Sequence, residues 1–399
     1  MQKLNSANKV GCVNLISLIL IIIGPNFGSG LDISTLALFF LAIYYIKDIK
    51  LNVSIEVIAV FIAVIIALSS AVFNSEFNTS FIIKPIKLLV LFTVIYSIRL
   101  RINIDECIRA LVISGLINSL VIYFQFLGLI DWINPQMVLH FDATFRKPGL
   151  FAGYPDAGLV SAFSSILALT VYLSNKNTKW LIMSLVIGVS VIFTSRMALL
   201  LFIFSLLVII GIQCTFKVRM KLLFYSLCSF FILHTLISLF IEDELIETVS
   251  NFSFELFINF FENGNLSTAS SDDLISNHFH LPTDLLVFLF GNSIEPFTSP
   301  GEYFSDVFYI RTLWGVGFFS LLLYIIVFLT IFIKVFNSSC FYRTVALSTL
   351  IMMIIACFKG PYFFSRGFGE QFILLYFIVI LNPCTNYERK ENSPYTSHS

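Results

Sequence analysis

Charge is what this chain lacks. Only 12% of its 399 residues are Asp, Glu, Lys or Arg, while 58% are hydrophobic. Soluble domains are roughly 45–50% apolar and about 25% charged. Half the usual charge cannot cover a surface of this size in water, which excludes a soluble globular protein. Net charge is lacking too, with 24 Lys and Arg against 24 Asp and Glu. The electrostatic footprint of a nucleic-acid binder is therefore absent. Cysteine is missing from the two polar stretches, 128–155 and 242–306; all seven cysteines (12, 107, 214, 228, 340, 357 and 384) lie elsewhere. No CxxC pair occurs, so neither a disulfide framework nor a zinc site is supported. Glycine-rich phosphate loops, nucleophile elbows and ATPase signatures are absent as well. No metal and no cofactor are expected.

What is present is a series of long apolar runs. A bilayer core of about 30 Å needs roughly 20 apolar helical residues. Twelve candidate spans follow: 11–25, 31–46, 53–73, 81–98, 107–127, 156–173, 180–194, 197–212, 222–241, 307–333, 341–358 and 370–382. The first resembles a signal peptide, since Lys3 and Lys9 precede it. It lacks a small-x-small cleavage site, and a second span follows almost at once, so it is kept. The two short spans flanking position 195 could alternatively form one long kinked element. The expected fold is all-α: a polytopic integral membrane helix bundle of about twelve transmembrane helices.

The cations set the orientation. With the N-terminus inside, the inner segments hold Lys3, Lys9, Lys47, Lys50, Arg99, Arg101, Lys176, Lys179, Lys217, Arg219, Lys221, Lys334, Arg343, Arg389 and Lys390, with Arg109 close by. Eight remain at the outer side: Lys84, Lys87, Arg146, Lys147, Arg196, Arg311, Lys359 and Arg366. This is the positive-inside bias, and it places both termini in the cytoplasm. Between 242 and 306 there are twelve acids and no Lys or Arg. Its apolar stretches, Phe252–Phe261 and Leu281–Phe290, are too short to span and read as interfacial helices. Four regions result: a membrane bundle over 1–241 with an outer loop near 128–155, an acidic outer loop over 242–306, a second bundle over 307–382, and a polar, disordered cytoplasmic tail over 383–399.

The outer cations defy the orientation rule, which makes them candidates for chemistry. Arg146, Arg196, Arg311 and Arg366 come from four connections that a bundle could gather round one cavity. Arginine grips phosphate bidentately and keeps its charge. Each could instead snorkel to lipid phosphates or pair with the acidic loop. The densest stretch runs from Arg146 and Lys147 through Pro148, Gly149, Tyr154 and Pro155 to Asp156. Asp156 suits the positive end of a helix dipole and equally suits a general base for a sugar hydroxyl. Thr194-Ser195-Arg196 occupies a tight outer turn, where nothing requires arginine. Asp306, Tyr309 and Arg311 cluster ahead of Gly315-Val316-Gly317. Lys84 and Lys87, one helical turn apart, either snorkel or touch a headgroup. His278 and His280 have no third ligand nearby and read as loop histidines, with His280 retained as a glycan contact.

These pieces resemble the bacterial O-antigen polymerase family (Wzy), within the O-antigen ligase and polymerase superfamily. The resemblance rests on Arg146…Gly149-Leu150-Phe151…Pro155-Asp156, then Thr194-Ser195-Arg196-Met197-Ala198, then a long loop ending in Phe290-Gly291-Asn292, then Asp306…Tyr309…Gly315-Val316-Gly317. As layout it covers nearly the whole chain. It implies a metal-independent glycosyltransferase of lipopolysaccharide biosynthesis in the bacterial inner membrane, with 242–306 as a large periplasmic loop. The growing glycan would leave undecaprenyl pyrophosphate and join a lipid-linked repeat unit. Asp156, Arg196 and Arg311 would be catalytic. Arg146, Lys147, Tyr154, Arg366, Asp306, Tyr309, Lys84, Lys87 and His280 would bind pyrophosphate and glycan. Expected partners are undecaprenyl-pyrophosphate-linked oligosaccharide, membrane lipids, and a chain-length regulator and flippase of the same pathway. Two departures matter. Family members often carry Asn where Asp156 stands, so the base role is not carried over. The ligase branch commonly shows His-Asn where this chain has Ser305-Asp306, which favours polymerase over ligase.

Other classes predict different features. A transporter or flippase of lipid-linked oligosaccharides should show broken polar helices near the midplane and internal repeats, whereas the charges here crowd the helix ends. An outer-face acyltransferase would want a surface histidine base, for which His140 and His280 are the weak candidates.

Overall fold

The computed structural model describes residues 2–25, 32–47, 54–74, 78–98, 102–130, 146–222, 255–264, 268–293 and 305–381, with positions 49, 132, 133 and 224. Among the described residues the fold is all-α, with no strand. The helices are α1 (Gln2–Ile23), α2 (Ile33–Tyr44), α3 (Ile55–Phe73), α4 (Ser80–Ile98), α5 (Ile104–Phe126), α6 (Tyr154–Asn175), α7 (Thr178–Ser190), α8 (Arg196–Gln213), α9 (Glu255–Asn263), α10 (Ala269–Asn277), α11 (Leu285–Phe290), α12 (Phe308–Phe336), α13 (Arg343–Ala356) and α14 (Phe368–Leu381). Six of them (α3, α4, α5, α6, α8 and α12) are long and apolar enough to cross a membrane. Five other candidate spans are shorter apolar helices of 10–17 residues. The ninth candidate span, 222–241, lies outside the described residues apart from its edge, as do 134–145, much of 242–306, His140 and the tail.

Sequence explains the local structure. In α3, Val57, Val60, Ala63, Val64 and Ala67 repeat at helical spacing and are buried, while Ile58, Phe61, Ile62 and Ile65 on the other face are exposed. One side of the helix faces the protein and the other is exposed and apolar, a pattern compatible with a helix in a bilayer. α6 is the central helix, buried almost throughout, and packs against α5, α7, α8 and α14. Small residues allow the close crossings. A methyl group on Gly158 would collide with Thr194 and Ala198, and one on Gly115 would collide with Ser164. The segment around 195 is two elements, not one kinked helix. A 3-10 turn over Val191–Phe193 leads to Thr194, whose φ of −119° and ψ of −97° are not helical. Ser195 then caps α8, its Oγ accepting from Ala198 N–H at 3.2 Å.

Several polar groups inside the bundle are paired with one another. Ser165 and Ser184 exchange hydrogen bonds between α6 and α7, and Gln371 of α14 donates to Ser164 Oγ at 2.9 Å. Glu56 in the first turn of α3 is fully buried. It accepts from Lys334 Nζ of α12 at 2.8 and 2.9 Å, Tyr96 Oη of α4 at 2.6 Å and Tyr376 Oη of α14 at 2.5 Å. Four helices are thereby tied at one end of the bundle.

At the other end, the acidic segment docks onto α12. Gly317 breaks the helical geometry inside α12 with φ 80° and ψ 176°. Asn292 N–H donates to Trp314 O at 2.8 Å and Ser293 N–H to Gly315 O at 2.9 Å. Gly291 also has positive φ, at 76°, and lies directly on the Gly315 carbonyl. Glycine is needed at both places because the two backbones touch. The Phe290-Gly291-Asn292 and Gly315-Val316-Gly317 motifs are therefore one packed unit.

Candidate functional site

The N-terminal ends of α4, α6, α8, α12 and α14, with the connection after α13, bring the eight exceptional cations to the end of the bundle opposite Glu56. Seven of them fall into two groups, and Lys147 lies in the connection beside the second.

The first is built on α4 and the connection into α14. Lys87 Nζ lies 2.9 Å from Glu370 Oε1 and 3.5 Å from Asp32 Oδ2, and donates to Ser34 Oγ at 2.9 Å. Glu370 is fixed from its other oxygen, which accepts Gly367 N–H at 2.5 Å. Asp32 caps α2 by accepting from Ser34 N–H and Thr35 Oγ1. Lys87 and Arg366 supply the opposite charges that act on it. Arg366 donates from Nη1 to Gly24 O at 2.7 Å and from Nη2 to Leu150 O at 2.9 Å, with its guanidinium 5.6 Å from the centre of the Phe151 ring. Arg366 and Lys87 thus act as struts between connections.

Lys84 stands one turn away on α4 and lines two small clefts. One is walled by Phe81, Pro85, Phe308, Tyr324 and Phe364 and shared with Arg311; the other holds Lys87, Ser365 and Glu370. Arg311 is only 9% exposed. Lys84 feels the like charge of Arg311 and the opposite charge of Asp156. Asp156 sits in the first turn of α6 and interacts with Ser365, Arg366, Glu370 and Lys84. Its Oδ1 is buried and has no hydrogen-bond partner among the described residues. A helix N-terminus and two cations, Arg366 and Lys84, act on this carboxylate, with the Glu370 charge opposing them, so it is placed both to complement the dipole and to accept a proton.

The second group is Arg146, Arg196 and Lys359, three cations from three connections. Burial pushes the Arg146 guanidinium down to about 10, and the Arg196 charge acts the same way. It remains cationic at neutral pH. Lys359 is lowered by burial and by Arg146 and Arg196, against the pull of Asp306 and Asp273. Arg196 forms an ion pair with Glu255 at the start of α9. Arg146 lies over the Tyr154 ring, 5.9 Å from its centre. Lys147 is 8% exposed, and its N–H donates to Phe193 O at 2.8 Å, which joins the 146 loop to the turn preceding Arg196.

Tyr362 links the groups, since its phenol, pushed well above its ordinary range by burial, also feels Asp156 and Asp306. Burial raises the Asp306 carboxyl, opposed by His278 and Lys359. His278 is 3% exposed; its Nδ1 accepts Asp306 N–H at 2.9 Å and its Nε2 faces Asp273 Oδ2 at 3.4 Å. Tyr309 is turned away, its hydroxyl donating to Ile354 O at 3.0 Å. The His280 side chain is exposed and only its carbonyl is engaged, by Trp314 Nε1 at 2.8 Å. Of the twelve residues expected from sequence, Tyr309 and His280 therefore stand apart from the two cation groups.

Asp32, Glu370, Ser365 and Tyr362 belong to the site's framework and carried no sequence signal of their own, and His278, expected as a loop histidine, is buried against Asp306. Each is an ordinary polar residue near a helix end until its partner is brought across the bundle. No family model matches the chain, and no curated protein matches it.

Proposed function

We propose that the chain is an O-antigen polymerase: a membrane glycosyltransferase acting at the periplasmic face of the bacterial inner membrane. It transfers a growing glycan from undecaprenyl pyrophosphate to a lipid-linked repeat unit. The observation that carries this reading is the gathering of two cation groups at one end of the bundle, one of them beside Asp156, at the same end as the docked acidic segment.

In chemical terms, an acceptor hydroxyl of the repeat unit attacks the anomeric carbon of the donor glycan. The new glycosidic C–O bond forms as the bond to the pyrophosphate oxygen breaks. The hydroxyl proton passes to Asp156 Oδ1, and the departing pyrophosphate takes the bonding pair. Arg146, Arg196 and Lys359 stabilise the charge that grows on the leaving group, a contribution that increases toward the transition state. Arg311 and Lys84 steady the reacting end beside Asp156. A flippase supplies the lipid-linked repeat and a chain-length regulator acts on the product.

The test is lipopolysaccharide from strains carrying Arg146→Ala, Arg196→Ala or Arg311→Ala, resolved on a gel. Long-chain ladders should collapse toward a single repeat on the core. Unchanged ladders in all three, at normal protein levels, would remove the proposed site. Complete absence of O-antigen from the core in a deletion strain would point to ligation instead.

A further inference from the structure

We infer that Asn118 and Gln125 of α5 are positioning residues that grip the 146–153 loop and so aim Arg146 and Lys147 at the site.

The loop enters α6 without regular structure, yet Lys147, Pro148, Gly149 and Phe151 are buried. Buried backbone N–H and C=O groups require partners, most strictly in a bilayer-embedded bundle. Two amide side chains two turns apart on one face of α5 supply them, and both are fully buried. Gln125 Oε1 accepts Gly149 N–H at 2.9 Å, while its Nε2 donates to Gly149 O at 3.2 Å and Ile133 O at 3.0 Å. Asn118 Oδ1 accepts Leu150 N–H at 3.1 Å, and its Nδ2 donates to Ala157 O and Ser161 Oγ, each at 3.1 Å. Two consecutive peptide N–H groups are thus held by two side chains. The same Asn118 also ties the loop to the first turn of α6, next to Asp156.

The grip explains Gly149. Its φ is +57°, and a Cβ there would lie 2.2 Å from Asn118 Oδ1. Glycine is needed both for the backbone angle and for the approach of the amide. On its far side the loop is held by Phe193 O and by Arg366. Asn118 does bond across to α6 through its Nδ2, as a helix-gluing amide would. Both acceptor oxygens, however, meet the non-helical segment that leads away from Arg146 and Lys147.

Exchange at the gripped amides tests this directly. Hydrogen–deuterium exchange of the purified full chain in nanodiscs, read by mass spectrometry over 146–153, needs no substrate. Asn118→Ala, Gln125→Ala and Gly149→Ala should each speed exchange there by about tenfold, as for amides that lose a buried hydrogen bond. Leu111→Ala, a fully buried α5 residue away from the loop, should lower overall stability and leave that peptide protected. Asn118→Asp and Gln125→Glu keep the acceptor oxygen, should fall between wild type and alanine, and serve if the alanine variants do not fold. Unchanged exchange in the folded Asn118 and Gln125 variants overturns the grip. Equal acceleration by Leu111→Ala reduces it to general stability.

The link to activity rests on the polymerase reading. Variants with a loosened loop should also make shorter ladders at normal protein level, and full-length ladders from them would overturn the positioning role. Failure of the wild-type chain to polymerise would instead sink the polymerase reading and leave the exchange result standing.

Discussion

Removing the ammonium of Lys334 should leave a fully buried carboxylate with two phenols and no counter-charge. Glu56 takes two hydrogen bonds from Lys334 Nζ, at 2.8 and 2.9 Å, and one each from Tyr96 and Tyr376. Lys334→Met preserves the length and apolar packing of the stem. Breaking a buried pair from one side costs roughly 3–5 kcal/mol. The Lys334 side chain is 34% exposed, so water softens the loss to about 2–3 kcal/mol. Glu56→Gln should cost less, about 1–2 kcal/mol, because the phenols keep an acceptor and Lys334 can turn toward water. The double variant should fall short of the sum of the singles by about 1 kcal/mol or more, the mark of directly coupled residues. Reversible unfolding of the purified chain in mixed micelles, titrated with SDS, measures all three. A Lys334→Met loss under about 0.5 kcal/mol, or additive singles, would refute the assigned network.

Arg196→Lys keeps the charge but loses the planar fork, so ladders from that variant should remain short; wild-type ladders would make Arg196 an interfacial anchor. Gly317→Ala forces a side chain into a φ of 80° and against Leu289 O, and should cost about 1–3 kcal/mol while making the 285–293 segment more sensitive to limited proteolysis. Asp32 caps α2 through Ser34 N–H and Thr35 Oγ1 and lies 3.5 Å from Lys87 Nζ. Asp32→Ala should therefore lower stability by about 1 kcal/mol, the usual cost of a lost N-cap, and an unchanged melting midpoint would refute the cap.

The helices were legible because each is a long apolar run bounded by polar residues. The expected span 156–173 appears as Tyr154–Asn175, its start set by Pro155 in the first turn. The exceptional cations were legible for a different reason: the orientation rule made them outliers. Their partners were not. Glu370 and Asp32 sit at helix starts, where an acid is ordinary complement to the dipole. Only the tertiary fold puts both on Lys87. Glu56 looked like another first-turn acid, and Lys334 like one more inner cation. Arg366 was expected on pyrophosphate, but its two terminal nitrogens hold backbone carbonyls from distant parts of the chain. Asn118 and Gln125 offered a faint clue, two amides seven residues apart in an apolar helix, which places them on one face. Their target has no periodicity and could not be read from spacing.

Purified chain in proteoliposomes, supplied with undecaprenyl-pyrophosphate-linked repeat units, tests polymerisation most directly. The account predicts a ladder of lengthening lipid-linked glycans with release of one undecaprenyl pyrophosphate per added unit, both lost in Arg146→Ala. Folded wild-type protein that forms no ladder and releases no carrier, or that only moves the lipid-linked unit across the bilayer, would contradict it.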